Sequence, residues 1–471
     1  TATQAITNKV AQQEKSENEK SIAVLAFENR SADKDNEYFS DGVAEEILNS
    51  LAKVKDLKVA GRTSSFFFKG KNETLATIGK TLGVAHVLEG SVRKQGDKLR
   101  ITAQLIRVSD GFQLWSETFD GSDADIFALQ ENIARSVTNE LKVALNAGQQ
   151  SRLIDTGTNS AEAYALYLQA TAIFNRRDIA QYQDAVASLQ KALALDPKYA
   201  RAHSRLATLH ATLGAYMDID YGLSNAKAIA EANAALALDP SLAEPHGVLG
   251  LTYGKQKGGY LRQRVEFERA IALDPDDVNS NFWYGLSLVM TGYSAAGIAR
   301  LEHALSIDPM MPNIVRWRGV MYFHEGDLSN AELYLKRARS FGLLFAEREL
   351  SFFAFQRGDV AAAIRKWSDG TRGLQNTWPP GSTEIIANGI FGDALAKTRA
   401  LALLEDVLTQ AQPRSTGTIP LSLLMLGKPE RALSAVLKLS DIDNREFFAR
   451  LWSNNGKQAR ALPEFPAFLQ K

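Results

Sequence analysis

The chain has 471 residues, 45% of them hydrophobic, enough for two or more domains and a sizeable core. Its 54 basic and 54 acidic residues balance, which argues against bulk electrostatic attraction to nucleic acid or an anionic membrane surface. It has no cysteine, which excludes thiol catalysis, cysteine-ligated metal sites and disulfides; this is compatible with either redox compartment and fits an oxidising one.

No window approaches the roughly 18 apolar residues of a membrane span, and no secretory signal pattern opens the chain. A chain that starts at Thr1 is expected to be a processed or engineered fragment. Residues 1–20 are rich in Gln, Asn, Lys, Glu, Ser and Thr and lack an apolar stripe. They read as a flexible linker, or equally as a frayed terminus.

Residues 21–149 read as a compact α/β layer domain with the order β-α-β-α-β-β-β-α. SIAVLAF (21–27) is a continuous apolar run suited to a buried strand. In 41–54, Asp41 is placed to cap a helix whose face is Val43, Ile47, Leu48 and Leu51. LKVAGR (57–62) predicts a second strand, and 74–83 a short helix closed by Gly83. Three strands follow at 85–94, 98–108 and 112–119, separated by turns at Gly96 and Gly111. A long amphipathic helix, 125–145, completes the domain.

Residues 150–191 predict a first helix pair, and from Ala192 to Leu343 a phrase recurs: ALALDP, ALALDP, AIALDP and ALSIDP. Its prolines, Pro197, Pro240, Pro275 and Pro309, lie 43, 35 and 34 residues apart. The columns around them agree as well. Ala192, Ala235, Ala270 and Ala304 stand five residues before proline, and Leu189, Ala232, Phe267 and Leu301 eight before. Ala207, Gly250, Gly285 and Gly319 share another column. Small residues fall where helices approach closely, and Asp-Pro ends the second helix of each unit because proline disfavours helix in the residue before it. The pattern resembles the tetratricopeptide repeat. The nine-residue excess in the first spacing places a loop near 215–224. Residues 344–471 read as degenerate helical repeats and a C-terminal cap, interrupted near Pro379-Pro380.

The segments IAVLAFENRS, DGVAEEI, VAGRTSSFFFKG, LGVAHVLEGSVRKQGDKLRITAQLI and WSETFDGSDADIFALQENIA resemble the TolB-amino-terminal-like domain that precedes tetratricopeptide repeats in CadC-type and related bacterial signalling proteins. The resemblance implies a periplasmic sensory or interaction module. A membrane helix would precede it, and upstream of that a winged-helix DNA-binding domain or a class III nucleotide cyclase.

Motifs for chemistry are not found. There is no phosphate-cradling G-x-x-x-x-G-K-[ST], no H-E-x-x-H and no G-x-S-x-G, so the expectation is a non-enzyme without cofactor or metal. His203 and His246 share the fourth repeat position and His210 the eleventh. They read as large side chains packed between helices, with a pH-sensing or metal role as the alternative. Asp218 and Asp220, beside Tyr216 and Tyr221, read as a solvated loop, since two carboxylates make an incomplete calcium shell.

The first helix of each unit lines the concave side of a repeat superhelix, as the resemblance implies. In the last two regular repeats its ligand-contacting positions are Asn279, Phe282, Leu286, Val289 and Met290, then Asn313, Arg316, Val320, Phe323 and His324. A protein or peptide partner with an apolar face suits this set, unless the chain's own later repeats fill the groove. Direct nucleic-acid binding is not expected, and a homodimer is left open. The alternative function is a small-molecule receptor with a pocket between the α/β domain and the repeats, using Arg62, Ser64 and Lys69 beside Phe66 to Phe68.

Overall fold

A computed structural model describes residues 20–145, 153–154, 156–176, 179–213, 221–256, 258–371, 379–409, 418–438, 445–453 and 456–469. Residues 1–19 of the expected linker 1–20 and most of the expected loop at 215–224, including Tyr216, Asp218 and Asp220, lie outside these residues. The architecture is α+β: a small sheet with its helices, followed by a long array of paired helices. The chain divides into two compact units, residues 1–245 with 307–309, and 246–306 with 310–471.

In the first unit, β1 (Ser21–Val24) pairs in parallel with β3 (Lys58–Val59) on one side and β4 (His86–Gln95) on the other. β2 (Glu28–Asn29) also pairs with β4 in parallel. Antiparallel β5 (Lys98–Arg107) and β6 (Gln113–Ser122) complete the order β3-β1-β4-β5-β6. The turns between these strands fall at Gly96 and Gly111, both with positive φ. In β5 the alternation is clear: Leu99, Ile101, Ala103 and Leu105 are buried, while Arg100 and Thr102 look outward to Asp120 and Thr118.

Four helices belong to this domain: α1 (Glu37–Ala52), α2 (Arg62–Phe66), α3 (Leu75–Leu82) and α4 (Ile126–Glu140). Gly83 closes α3 in the left-handed conformation. Two local expectations change. Helix α1 begins at Glu37, after a turn that Asp33 caps, so Asp41 lies inside it. The strand at 57–62 shortens to two residues because α2 starts at Arg62.

Helix pairs follow: α5 (Ala161–Arg176) with α6 (Tyr182–Leu195), and α7 (Ala200–Leu213) with α8 (Tyr221–Leu238). The core does not stop at residue 149. Ile22 and Phe27, Val43 and Ile47 of α1, Ile133 of α4, Tyr164 and Leu168 of α5, Leu189 of α6 and Leu206 of α7 form one buried cluster. Gly42 of α1 sits so close to α5 that an added Cβ would lie 2.8 Å from the Leu168 methyls. The α/β domain and the first repeats are therefore one packed body, and the boundary expected at 149/150 is not a packing boundary.

Helix α9 (Ala243–Tyr253) leads into the second unit. That unit holds α10 (Tyr260–Leu273), α11 (Val278–Met290), α12 (Ser294–Ile307), α13 (Pro312–Glu325), α14 (Leu328–Ser340), α15 (Ala346–Gln356) and α16 (Val360–Thr371). Beyond them lie α17 (Ser382–Phe391), α18 (Ala394–Thr409), α19 (Thr418–Met425), α20 (Pro429–Lys438), α21 (Arg445–Trp452), α22 (Lys457–Arg460) and α23 (Phe465–Leu469).

The repeat columns serve as their residue types require. Ala192, Ala235, Ala270 and Ala304 are fully buried, as are Leu189, Ala232, Phe267 and Leu301. Asp196 and Asp274, each before a proline, leave the helix with extended backbone (ψ 90° and 94°). Gly285 and Gly297 let α11 and α12 touch backbone to backbone. A Cβ on Gly285 would lie 2.9 Å from the Gly297 carbonyl oxygen, and one on Gly297 2.5 Å from that of Gly285.

Candidate functional site

In the first unit the three polar residues proposed for a small ligand are already occupied. Arg62 Nε donates to Glu45 Oε2 at 2.8 Å, and its guanidinium lies 4.3 Å from the Phe66 ring centre. Asn175 Nδ2 donates to both Glu45 oxygens, at 3.1 and 3.0 Å. The Ser64 amide and the Thr63 amide donate to the two carboxylate oxygens of Asp308 at 2.7 and 3.1 Å, and the Ser64 hydroxyl also donates to Asp308. Burial raises the Asp308 pKa against the opposing pull of those hydrogen bonds. Lys69 pairs with Glu37 and with Asp41. Arg62, Ser64 and Lys69 thus complete internal pairs around α2, and the expected ligand cluster gives way to a structural one.

Beside it lies a contact that the sequence did not announce. Glu46 of α1 meets Arg201 of α7, whose guanidinium is also 5.1 Å from the Tyr167 ring centre. One turn along α7, Arg205 pairs with Glu244 at 3.1 Å and lies 5.2 Å from the Phe174 ring centre. Glu244 also accepts from Ser204 and Thr208, both at 2.8 Å. The first helices of these repeats therefore direct these polar side chains to α1 and to one another.

In the second unit the expected groove is largely filled. Phe282, Leu286, Val289, Arg316 and Val320 are buried, each no more than 5% exposed. Asn279, Met290, Asn313, Phe323 and His324 are half-buried. The filler is α21. Its Ala449 joins the core of Phe282, Leu286 and Val289, and Trp452 Nε1 donates to the Met290 carbonyl at 2.7 Å. The Trp452 ring also packs over Gly292. Arg316, expected to meet a ligand, instead makes a two-pronged pair with Glu349 at 3.0 and 2.5 Å. An open surface on α11 is corrected to a closed one: the chain's own α21 lies on it. Phe323 continues into a run of rings, 5.5 Å from Phe352 and 5.9 Å from Phe353.

The two fourth-position histidines bond glutamates of their own repeats. His203 Nδ1 lies 2.6 Å from Glu231 and His246 Nδ1 2.6 Å from Glu266. His210 lines a cavity of about 380 Å³ with Gln183, Gln190, Leu223 and Lys227. Burial first, and then Lys227, lowers its pKa, while Glu231 opposes. Among the described residues no group of three or more His, Asp or Glu stands together as a metal site, and no helix is long and apolar enough to cross a membrane.

These features define a class: a helical-repeat scaffold of tetratricopeptide type fused to a small α/β domain. A model of the HilA/YgeH-like transcriptional regulator, second domain, matches residues 18–136, and a TPR repeat model matches residues 177–214. A protein of Rhizobium meliloti (strain 1021) named "Putative adenylate cyclase 3" is 39% identical over 192 residues. That stretch is 41% of this chain and 33% of the relative, so the match spans about a third of the relative's length. Among solved structures, the pilF protein of Pseudomonas aeruginosa is 21% identical, with 46% of this chain and 93% of that chain covered and a TM-score of 0.34. The APC/C hetero-tetramer Cut9–Hcn1 is 16% identical, covers 71% and 59%, and has a TM-score of 0.43. Yeast Tom70 is 12% identical, covers 74% and 82%, and has a TM-score of 0.35.

Proposed function

We propose that the chain is a non-enzymatic sensory scaffold. It is the periplasmic portion of a membrane-anchored bacterial regulator of the CadC type or a cyclase-linked relative, and its repeats hold a protein or peptide partner. The observation that carries this reading is the joining of the regulator-like domain to the first repeats through Glu45 and Glu46 of α1. A partner that bends or orders the repeats acts on that domain directly, and so on the effector linked to it. The effector is a DNA-binding domain or a nucleotide cyclase. The match at 18–136 to a regulator's domain supports the first and the name of the Rhizobium relative the second.

The surface left for a partner in the second unit is the half-buried part of the groove: Asn279, Asn313, Phe323 and His324. Capture of binding proteins from bacterial envelope extract tests it, comparing the chain with the double variant Asn313→Ala, His324→Ala, whose fold is checked by circular dichroism. The expected result is at least a tenfold loss of one discrete partner. Equal recovery contradicts the groove.

A further inference from the structure

Helix α21 brings into the second unit one cationic side chain that no described residue balances. Arg450 has its Nε enclosed and without a hydrogen-bond partner. Its guanidinium carbon lies 6.0 Å from the Phe352 ring centre. Among the described residues no carboxylate pairs with it, and burial alone pulls its pKa down to about 10. Every other largely buried arginine whose ion pair is described, Arg201, Arg205, Arg316, Arg318 and Arg348, faces a glutamate. Burying a cation without a counter-charge is costly, and buried charges are as a rule paired, so an anion bound beside Arg450 would supply a missing partner.

The surroundings say what kind of anion. Phe352 lies 5.5 Å from both Phe323 and Phe391, and Phe355 lies 5.3 Å from Phe391. The rings come from three successive first helices, α13, α15 and α17. Phe352 is half-buried and Phe355 is 43% exposed, so the run opens to solvent. A planar guanidinium over an aromatic floor suits a planar oxyanion carried on an apolar body better than it suits a compact, fully hydrated ion. We propose that Arg450, with Phe352 and Phe355, forms a binding site for a small organic carboxylate with an aromatic or aliphatic body. The site is independent of the partner reading, which does not use Arg450.

The full chain is titrated by calorimetry with phenylacetate, and with 2-phenylethylamine and inorganic phosphate for comparison. Phenylacetate is expected to bind, the amine not to bind, and phosphate to bind at least tenfold more weakly. Arg450→Gln is expected to weaken phenylacetate at least tenfold. A second readout needs no ligand: Arg450→Met removes a cation that no described carboxylate balances and is expected to raise the Tm of the free protein. Absence of phenylacetate binding at millimolar concentration overturns the proposal, as does equal binding of phosphate. So does a fall in Tm for Arg450→Met, since that means the guanidinium already has its partner.

Discussion

Glu46 and Arg201, 155 residues apart in sequence, close on each other as a two-pronged pair: Arg201 Nη1 donates to Glu46 Oε2 at 2.8 Å and Nη2 to Oε1 at 2.5 Å. The Glu46 side chain is 4% exposed and that of Arg201 18%. Burial by itself would lower the Arg201 pKa. The Glu46 carboxylate, together with Tyr167 and Tyr199, reverses this and holds it well above the ordinary arginine value. Breaking one side of such a pair costs about 3–5 kcal/mol, because the other charge stays buried. Glu46→Ala is therefore expected to lower the urea midpoint sharply. The double change Glu46→Leu, Arg201→Met is expected to recover most of the loss, measured by the same titration.

The close approach of α11 and α12 leaves no room for a methyl group at Gly285. Gly285→Ala is expected to destabilise the second unit by about 1–3 kcal/mol, the usual cost of overpacking a tight interface. Thermal unfolding followed by circular dichroism measures it, with Gly326→Ala as a contrast. Gly326 has open space around its Cβ position but a φ of 90°, so its loss comes from backbone strain alone.

The seat of α21 on α11 depends on Trp452. Trp452→Ala removes the indole packed over Gly292 and the bond to the Met290 carbonyl, with an expected cost of about 2–3 kcal/mol for a half-buried large aromatic. Hydrogen exchange should report faster amides in α21 and α11 together. Faster exchange in α21 alone would mean that α21 does not cover the groove.

His210 gives the first unit a pH dependence of known sign. Its folded pKa lies below its unfolded value of about 6.5, so the unfolded chain binds more protons there. The stability it contributes is present above that value and is lost as pH falls through it towards the lower folded pKa. The urea midpoint is expected to drop between pH 7.5 and 5.5, and His210→Tyr, the residue of the sister repeats at 253 and 322, is expected to flatten that drop.

What could be read in the sequence follows the range of the forces involved. The buried columns of alanine, leucine and glycine repeat because each helix must fit its sequence neighbour, and a pattern with a fixed period displays that directly. The strands 86–95 and 98–107 were legible for the same local reason. Three things were not. Glu45 and Glu46 looked like the polar side of a helix read from Val43 and Ile47, and their partners Arg62, Asn175 and Arg201 are distant in sequence. Arg316 and Val289 stood at groove positions, but nothing local tells that Glu349 reaches the first and that α21 settles on the helix of the second. The boundary at residue 149 followed a change of pattern from strand to helix, whereas packing continues across it from Ile47 to Leu168.

The account rests on the regulator-like domain and the first repeats opening as one body. Native-state hydrogen exchange on the full chain measures this most directly, by comparing the opening free energies of amides in α1 and α7. They are expected to be equal, and Glu46→Ala should lower both by the same amount. If α7 keeps its protection while α1 loses it, the domain and the repeats are separable, and a partner held by the repeats has no rigid path to the domain.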